Sequence, residues 1–244
     1  MPRHFRLTDH AYAHRGLWSD GTPENSLAAF KKAVDAGVGA ECDIHLTGDG
    51  VPIIFHDFSL KRMTGVDKAV ADCDLATIQS VSLAGTDQTI PTLSDVLDAM
   101  TDLPLLVELK SRDDKDCEAL ALAVSNALRG YSGRVAVMSF DQNLMIRFKS
   151  HAPEILTGFL TPPGFLGNER NRQSTAATLQ DHAFDYLAPH ILDAPFAAAD
   201  DLLRCPLASW TVSDPDLLQI ATETKAAPIF EKLEPDLVRR RSIP

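Results

Sequence analysis

The sequence predicts a (βα)8 TIM barrel formed as a single α/β domain over residues 1–244. Three observations predict it. Strand-like apolar runs alternate with helix-like periodic segments through eight main strand candidates in 244 residues, which suits a closed barrel better than an open doubly wound sheet. No GxGxxG pattern follows the first strand, which removes the usual dinucleotide-binding arrangement. No low-complexity stretch or Ser/Gly-rich linker divides the chain.

Taken in order, the first strand spans His10 to Ala13. Thr22 then reads as a helix cap and Pro23 as the first helical position, where no N–H is needed. Leu27, Phe30 and Val34 follow at helical spacing, and Gly37 ends the helix. Val38 to Ile44 is the next strand. Val51 to Phe55 is an additional short one beyond the Gly48-Asp49-Gly50 turn. The segment Phe58 to Pro91 is longer than an ordinary connection and predicts short helices over the C-terminal mouth of the barrel. Leu93, Val96, Leu97 and Met100 mark one helix face before a strand at Leu103–Leu109. The alternation continues with helix Asp116–Leu128, strand Arg134–Phe140, helix Gln142–Lys149 and strand Ile155–Leu160. Strands near Phe184–Leu187, Leu207–Val212 and Pro228–Phe230, and a helix from about Glu234, complete the pattern.

Composition narrows the function classes. With 23 Lys and Arg against 34 Asp and Glu, the formal charge is −11, which opposes nonspecific binding to nucleic acid or to an anionic membrane. No secretory leader and no 18-residue apolar run is visible, so a cytoplasmic protein without stable membrane insertion is expected. Four well-separated cysteines with no CxxC pair read as reduced structural thiols.

Chemistry is expected at the C-terminal ends of barrel strands. His14-Arg15-Gly16 and His56-Asp57 each follow an apolar strand. In Glu41-Cys42-Asp43 the alternation of a strand puts both carboxylates on one face. Two inward carboxylates repel unless a cation holds them, and a hard divalent ion such as Mg2+ or Ca2+ meets that need with oxygen ligands. A solvated strand end is the alternative. Glu108-Leu109-Lys110 repeats the geometry: Glu108 is a third candidate ligand and Lys110 a contact for an anionic oxygen, the alternative being a plain ion pair. Two histidines flanking a carboxylate-bound metal have the composition needed to cleave a phosphate ester, with Arg15 and Lys110 supplying positive charge to nonbridging oxygens. His45 and His190 also lie near strand ends, whereas His4, His10, His151 and His182 read as surface or packing residues. Arg239-Arg240-Arg241 reads as a solvated helix terminus.

These motifs, with Pro23-Glu24-Asn25-Ser26, Ala29-Phe30, Leu60-x-Arg62-x-Thr64 and Ile90-Pro91-Thr92-Leu93, resemble the glycerophosphodiester phosphodiesterases in their order along the chain. The likeness resumes at Ser139-Phe140 and Trp210-Thr211-Val212. It implies a TIM barrel, one Mg2+ or Ca2+ ion, and hydrolysis of a small glycerophosphodiester to sn-glycerol 3-phosphate and an alcohol, as in compact cytosolic bacterial members. It further implies His14 and His56 as the acid/base pair, Glu41, Asp43 and Glu108 as metal ligands, Arg15 and Lys110 as phosphate contacts, and Trp210 as an aromatic near the substrate. Phe230-Glu231 stands where the family often has Thr-Asp, and Ser213 where Asn is common. A lipid-cleaving phospholipase D of the same superfamily, and a noncatalytic binding barrel, are the competing readings.

Overall fold

The computed structural model describes residues 5–112 and 114–242. Nine strands are found among these residues: β1 (Tyr12–Ala13), β2 (Gly39–Leu46), β3 (Pro52–Ile54), β4 (Leu105–Leu109), β5 (Val135–Ser139), β6 (Leu156–Thr161), β7 (Tyr186–Pro189), β8 (Ala208–Val212) and β9 (Ala227–Phe230). Eight of them form a nearly closed parallel barrel in the order β7-β6-β5-β4-β2-β1-β9-β8. The seam between β7 and β8 is joined by two isolated parallel bridges, Leu187 to Leu207 and His190 to Trp210. β3 lies off the barrel, antiparallel to the end of β2. It is the additional strand expected from Val51–Phe55.

The helices are α1 (Leu27–Asp35), α2 (Lys61–Thr64), α3 (Leu75–Gln79), α4 (Leu93–Ala99), α5 (Asp114–Leu128), α6 (Gln142–His151), α7 (Glu169–Asp181), α8 (Ala194–Ala199), α9 (Pro215–Thr224) and α10 (Pro235–Ser242). The α1 start differs from expectation: its cap is Ser26, whose hydroxyl accepts from Ala29 N, not Thr22. The reason lies one residue earlier. Asn25 has a left-handed φ of 56°, and its N–H goes to Arg15 O at 2.9 Å, so Pro23-Glu24-Asn25 is committed to the loop. Gly37 ends the helix as expected, with φ 68°.

Strand alternation produces two apolar layers. Tyr12, Leu106, Met138, Tyr186, Ala208 and Ile229 pack inside the barrel. Cys42, Ile44, Val107, Leu109 and Val137 face outward against Phe30, Val96, Leu120, Val124 and Phe148 of the surrounding helices. Gly158 is required by close approach: a Cβ there would lie 2.3 Å from the Tyr186 ring. The Phe58–Pro91 segment contains α2 and α3 and has its own small core of Phe55, Leu60, Val70, Ile78, Leu83 and Ile90. It stands beside the mouth on the His56 flank, and none of its residues lines the central cavity. The four cysteines are free.

Candidate active site

The end of β1 turns sharply. Arg15 and Gly16 have φ of 60° and 76°, and a Cβ on Gly16 would come within 2.8 Å of the Ala29 Cβ on α1. Only glycine fits that position without strain. The turn brings His14 and Arg15 to the wall of a cavity at the C-terminal ends of the strands. Arg15 pays about 1–3 kcal/mol for its left-handed backbone, and the N–H so exposed donates to Glu41 Oε2 at 3.0 Å.

Register then assembles the carboxylates. Asp43 of β2 pairs with Glu108 of β4, and Glu41 lies two residues before Asp43 on the same inward face. One oxygen from each of Glu41, Asp43 and Glu108 lies within 4.8 Å of the others, and all three residues are buried. Lys110 Nζ sits 3.0 Å from Asp43 Oδ1 and 2.5 Å from Glu108 Oε1. Arg15 Nε is 3.4 Å from Asp43 Oδ2, an ion pair without a hydrogen bond; that oxygen accepts from Asn25 Nδ2 at 2.9 Å. Burial, reinforced by the neighbouring Asp43 and Glu108, pushes the Glu41 carboxyl well up. Burial also raises Glu108 in spite of Lys110. Burial works in the same direction on Asp43, yet Lys110 and Arg15 outweigh it and hold that group well below the usual carboxylate range.

Three buried carboxylates face two cations. Glu108 Oε1, although close to Lys110, has no properly directed hydrogen bond. An all-oxygen donor set short of positive charge suits a hard divalent ion such as Mg2+ or Ca2+, and Glu41, Asp43 and Glu108 are the residues that could hold one.

Both candidate histidines are oriented through Nδ1 by a carboxylate. His14 Nδ1 is 3.0 Å from Glu231 Oε2, and His56 Nδ1 is 2.7 Å from Asp57 Oδ1. In each pair the imidazole donates, since an ionised carboxylate can only accept. Nε2 is thereby the ring nitrogen left for a ligand in the cavity that both residues line. The hydrogen bond from His14 brings Glu231 down to about 2. Against some burial, Arg62 and His56 bring Asp57 to about 2 as well. His56 itself is lowered by burial, an effect Asp43 and Asp57 only partly offset.

The cavity measures about 230 Å³ and has two unlike walls. His14, Arg15, Glu41, His56, Glu108 and Lys110 form the charged wall; Met138, Phe140, Leu160, Trp210 and Ile229 form the apolar one. Trp210 is anchored by its indole N–H to Ala188 O at 3.1 Å and stands edge-on to Phe140 and His190. Seven of the eight residues singled out from the sequence line this cavity, and the eighth, Asp43, is paired with two of them, Arg15 and Lys110.

The other described histidines are held by local partners. His45, brought down to about 4 by burial, is fixed to His56 O at 3.0 Å. His190 packs on Trp210, His151 pairs with Glu118, and His10 and His182 contact Tyr12 and Phe184. His4 and the Arg241 side chain lie outside the described residues. The sequence does not reveal the partners: Glu231 marks only a departure from the family, and Glu24 and Asn25 stand in a motif and at a helix start with no role assigned. Their signal was adjacency to a motif residue or a strand end, which does not reveal what a side chain touches.

The sequence matches the glycerophosphoryl diester phosphodiesterase family over residues 14–230. It is 31% identical to the glycerophosphodiester phosphodiesterase of Caldanaerobacter subterraneus subsp. tengcongensis over 166 residues, covering 63% of this chain and 67% of that protein. It is 38% identical over 133 residues to a Mycobacterium tuberculosis protein named "Probable glycerophosphodiester phosphodiesterase 2", covering 54% of this chain and about half (48%) of that one. In fold it resembles an Oleispira antarctica phosphodiesterase solved in complex with its product sn-glycerol-3-phosphate, with a TM-score of 0.80, 24% identity and coverage of 95% and 96% of the two chains. The match runs from His14, just after β1, to Phe230 at the end of β9, and so takes in every barrel strand except β1: this chain belongs to the glycerophosphoryl diester phosphodiesterase family.

Proposed function

We propose that this protein hydrolyses small glycerophosphodiesters to sn-glycerol 3-phosphate and an alcohol, with one divalent cation held by Glu41, Asp43 and Glu108. The observation that carries the reading is the pair of carboxylate-oriented histidines, His14 with Glu231 and His56 with Asp57, set on one cavity with the acidic trio. The cation, when bound, supplies Lewis acidity to the phosphoryl oxygens. Arg15 and Lys110 bind the nonbridging oxygens and oppose the charge that builds on them. One histidine takes a proton from the attacking oxygen, which is either water or the neighbouring glycerol hydroxyl. The other gives a proton to the alcohol oxygen as its bond to phosphorus breaks. If the glycerol hydroxyl attacks, water opens the resulting cyclic phosphate, so both routes consume one water. The apolar wall around Trp210 and Phe140 shields the reacting group from solvent and packs against the carbon skeleton of the substrate.

The test is release of sn-glycerol 3-phosphate from glycerophosphocholine and glycerophosphoethanolamine by the purified protein, with Mg2+, Ca2+ or EDTA. Release is expected with metal, abolished by EDTA, and reduced by at least about a hundredfold in His14→Ala. An unchanged rate in EDTA would refute the cation assignment. A folded protein inactive with every metal would refute the reaction.

A further inference from the structure

We propose that Arg62, on α2 beside the mouth, is a positioning residue that holds His56 and Arg15 in a fixed relation across the phosphate site. This rests on the phosphodiesterase reading and identifies what keeps that site in shape. Arg62 forks twice. Toward Asp57 its Nε and Nη2 donate at 2.6 and 3.1 Å. Toward Glu24 its Nη2 and Nη1 donate at 2.7 and 3.1 Å. Asp57 then accepts from His56 Nδ1 at 2.7 Å, and Glu24 accepts from Arg15 Nη1 at 2.8 Å. The result is one continuous run, His56–Asp57–Arg62–Glu24–Arg15, whose two ends line the cavity while Arg62 does not.

Two features separate this from an ordinary ion pair. The Arg62 side chain is 46% exposed, and exposed pairs contribute little to stability, so stability alone is a poor account of four donor contacts on one side chain. Both carboxylates also stand on loops: Glu24 lies between β1 and α1, and Asp57 between β3 and α2. A planar guanidinium with a fork for each fixes their planes, which a lysine ammonium cannot do. Without Arg62, Asp57 and Glu24 are free to turn toward water, and the His56 ring and the Arg15 guanidinium lose their outer supports. The Phe58–Pro91 segment thereby acts on the chemistry without lining the cavity.

The experiment compares the full-length protein with Arg62→Ala and Arg62→Lys by kcat, KM, thermal midpoint and the proton NMR signal of the His56 Nδ1–H. Arg62→Ala is expected to lose about 10- to 100-fold in kcat/KM, mostly in kcat, and to lose or broaden the His56 signal, with the thermal midpoint within a few degrees of wild type. Arg62→Lys should recover little. Methylguanidinium below denaturing concentration should restore part of the Arg62→Ala rate, and methylammonium should not. Unchanged kinetics, a fully active Arg62→Lys, or a loss that follows unfolding without guanidinium rescue would overturn the proposal. A folded wild type that turns over no diester would overturn the phosphodiesterase reading instead. The NMR signal would then decide Arg62 alone, since an unaltered His56 proton in Arg62→Ala overturns its positioning role.

Discussion

Glu231 is the residue whose meaning changed most between sequence and structure. It occupies a place where the family often carries another acid, and it proves to orient His14 from the end of β9. Replacing it by Gln keeps the shape but removes the charge, and kcat is expected to fall about tenfold with little change in KM. The same group makes a prediction about acid stability. Its carboxyl is brought down to about 2 in the folded chain from the ordinary glutamate value of about 4.5, so the unfolded chain binds the extra proton between those values. Its stabilisation is therefore complete above pH 4.5 and is lost as the pH falls toward 2. The side chain is 18% exposed, and with solvent screening allowed for the contribution is about 1 kcal/mol. Chemical denaturation at pH 6 and pH 3 should show wild type losing about half of that more than Glu231→Gln; an equal loss would place the ion pair's stabilisation near zero.

At the scale of elements, the pairing of β6 with β7 depends on one absence. Gly158 opposes Tyr186 in register, and the ring occupies the space a side chain would fill, with its hydroxyl donating to Val137 O at 3.2 Å. Gly158→Ala forces the buried ring to move, and overpacking of this kind costs about 1–3 kcal/mol. At about 2–4 °C per kcal/mol for a chain of this size, calorimetry should find the midpoint lowered by several degrees. A midpoint equal to wild type would mean that the barrel interior relaxes without strain. Ser26 offers a second check on an element boundary. Ser26→Ala removes the α1 cap and should cost about 1 kcal/mol, whereas Thr22→Ala, at the position the sequence suggested as a cap, should cost less. The α1 start was misread because Pro after Thr is a good helix-entry signal locally. Here it is overridden by Asn25, which is drawn away to Arg15 and Asp43.

For the whole molecule, the charge of −11 would oppose the anionic diester proposed as substrate, while Arg15, Lys110 and the proposed cation would attract it only near the mouth. Long-range repulsion is screened over about 8 Å in physiological salt. Raising KCl from about 10 to about 150 mM should therefore raise kcat/KM by up to about twofold. A steep fall would mean that the local cations, not the net charge, govern encounter. No helix among the described residues is long and apolar enough to cross a membrane, which accords with the absence of long apolar runs. The sequence by itself determined the barrel, because hydrophobic periodicity is local and repeats with every βα unit. It also determined the inward face of Glu41, Asp43, Glu108 and Lys110, because side-chain alternation along a strand is a matter of counting. Tertiary structure alone decided who holds whom. His14 meets Glu231 across 217 positions, and Arg62 meets Glu24 across 38. Such partners are chosen by strand register, barrel closure and the path of loops, and none of these is written in the spacing of neighbouring residues.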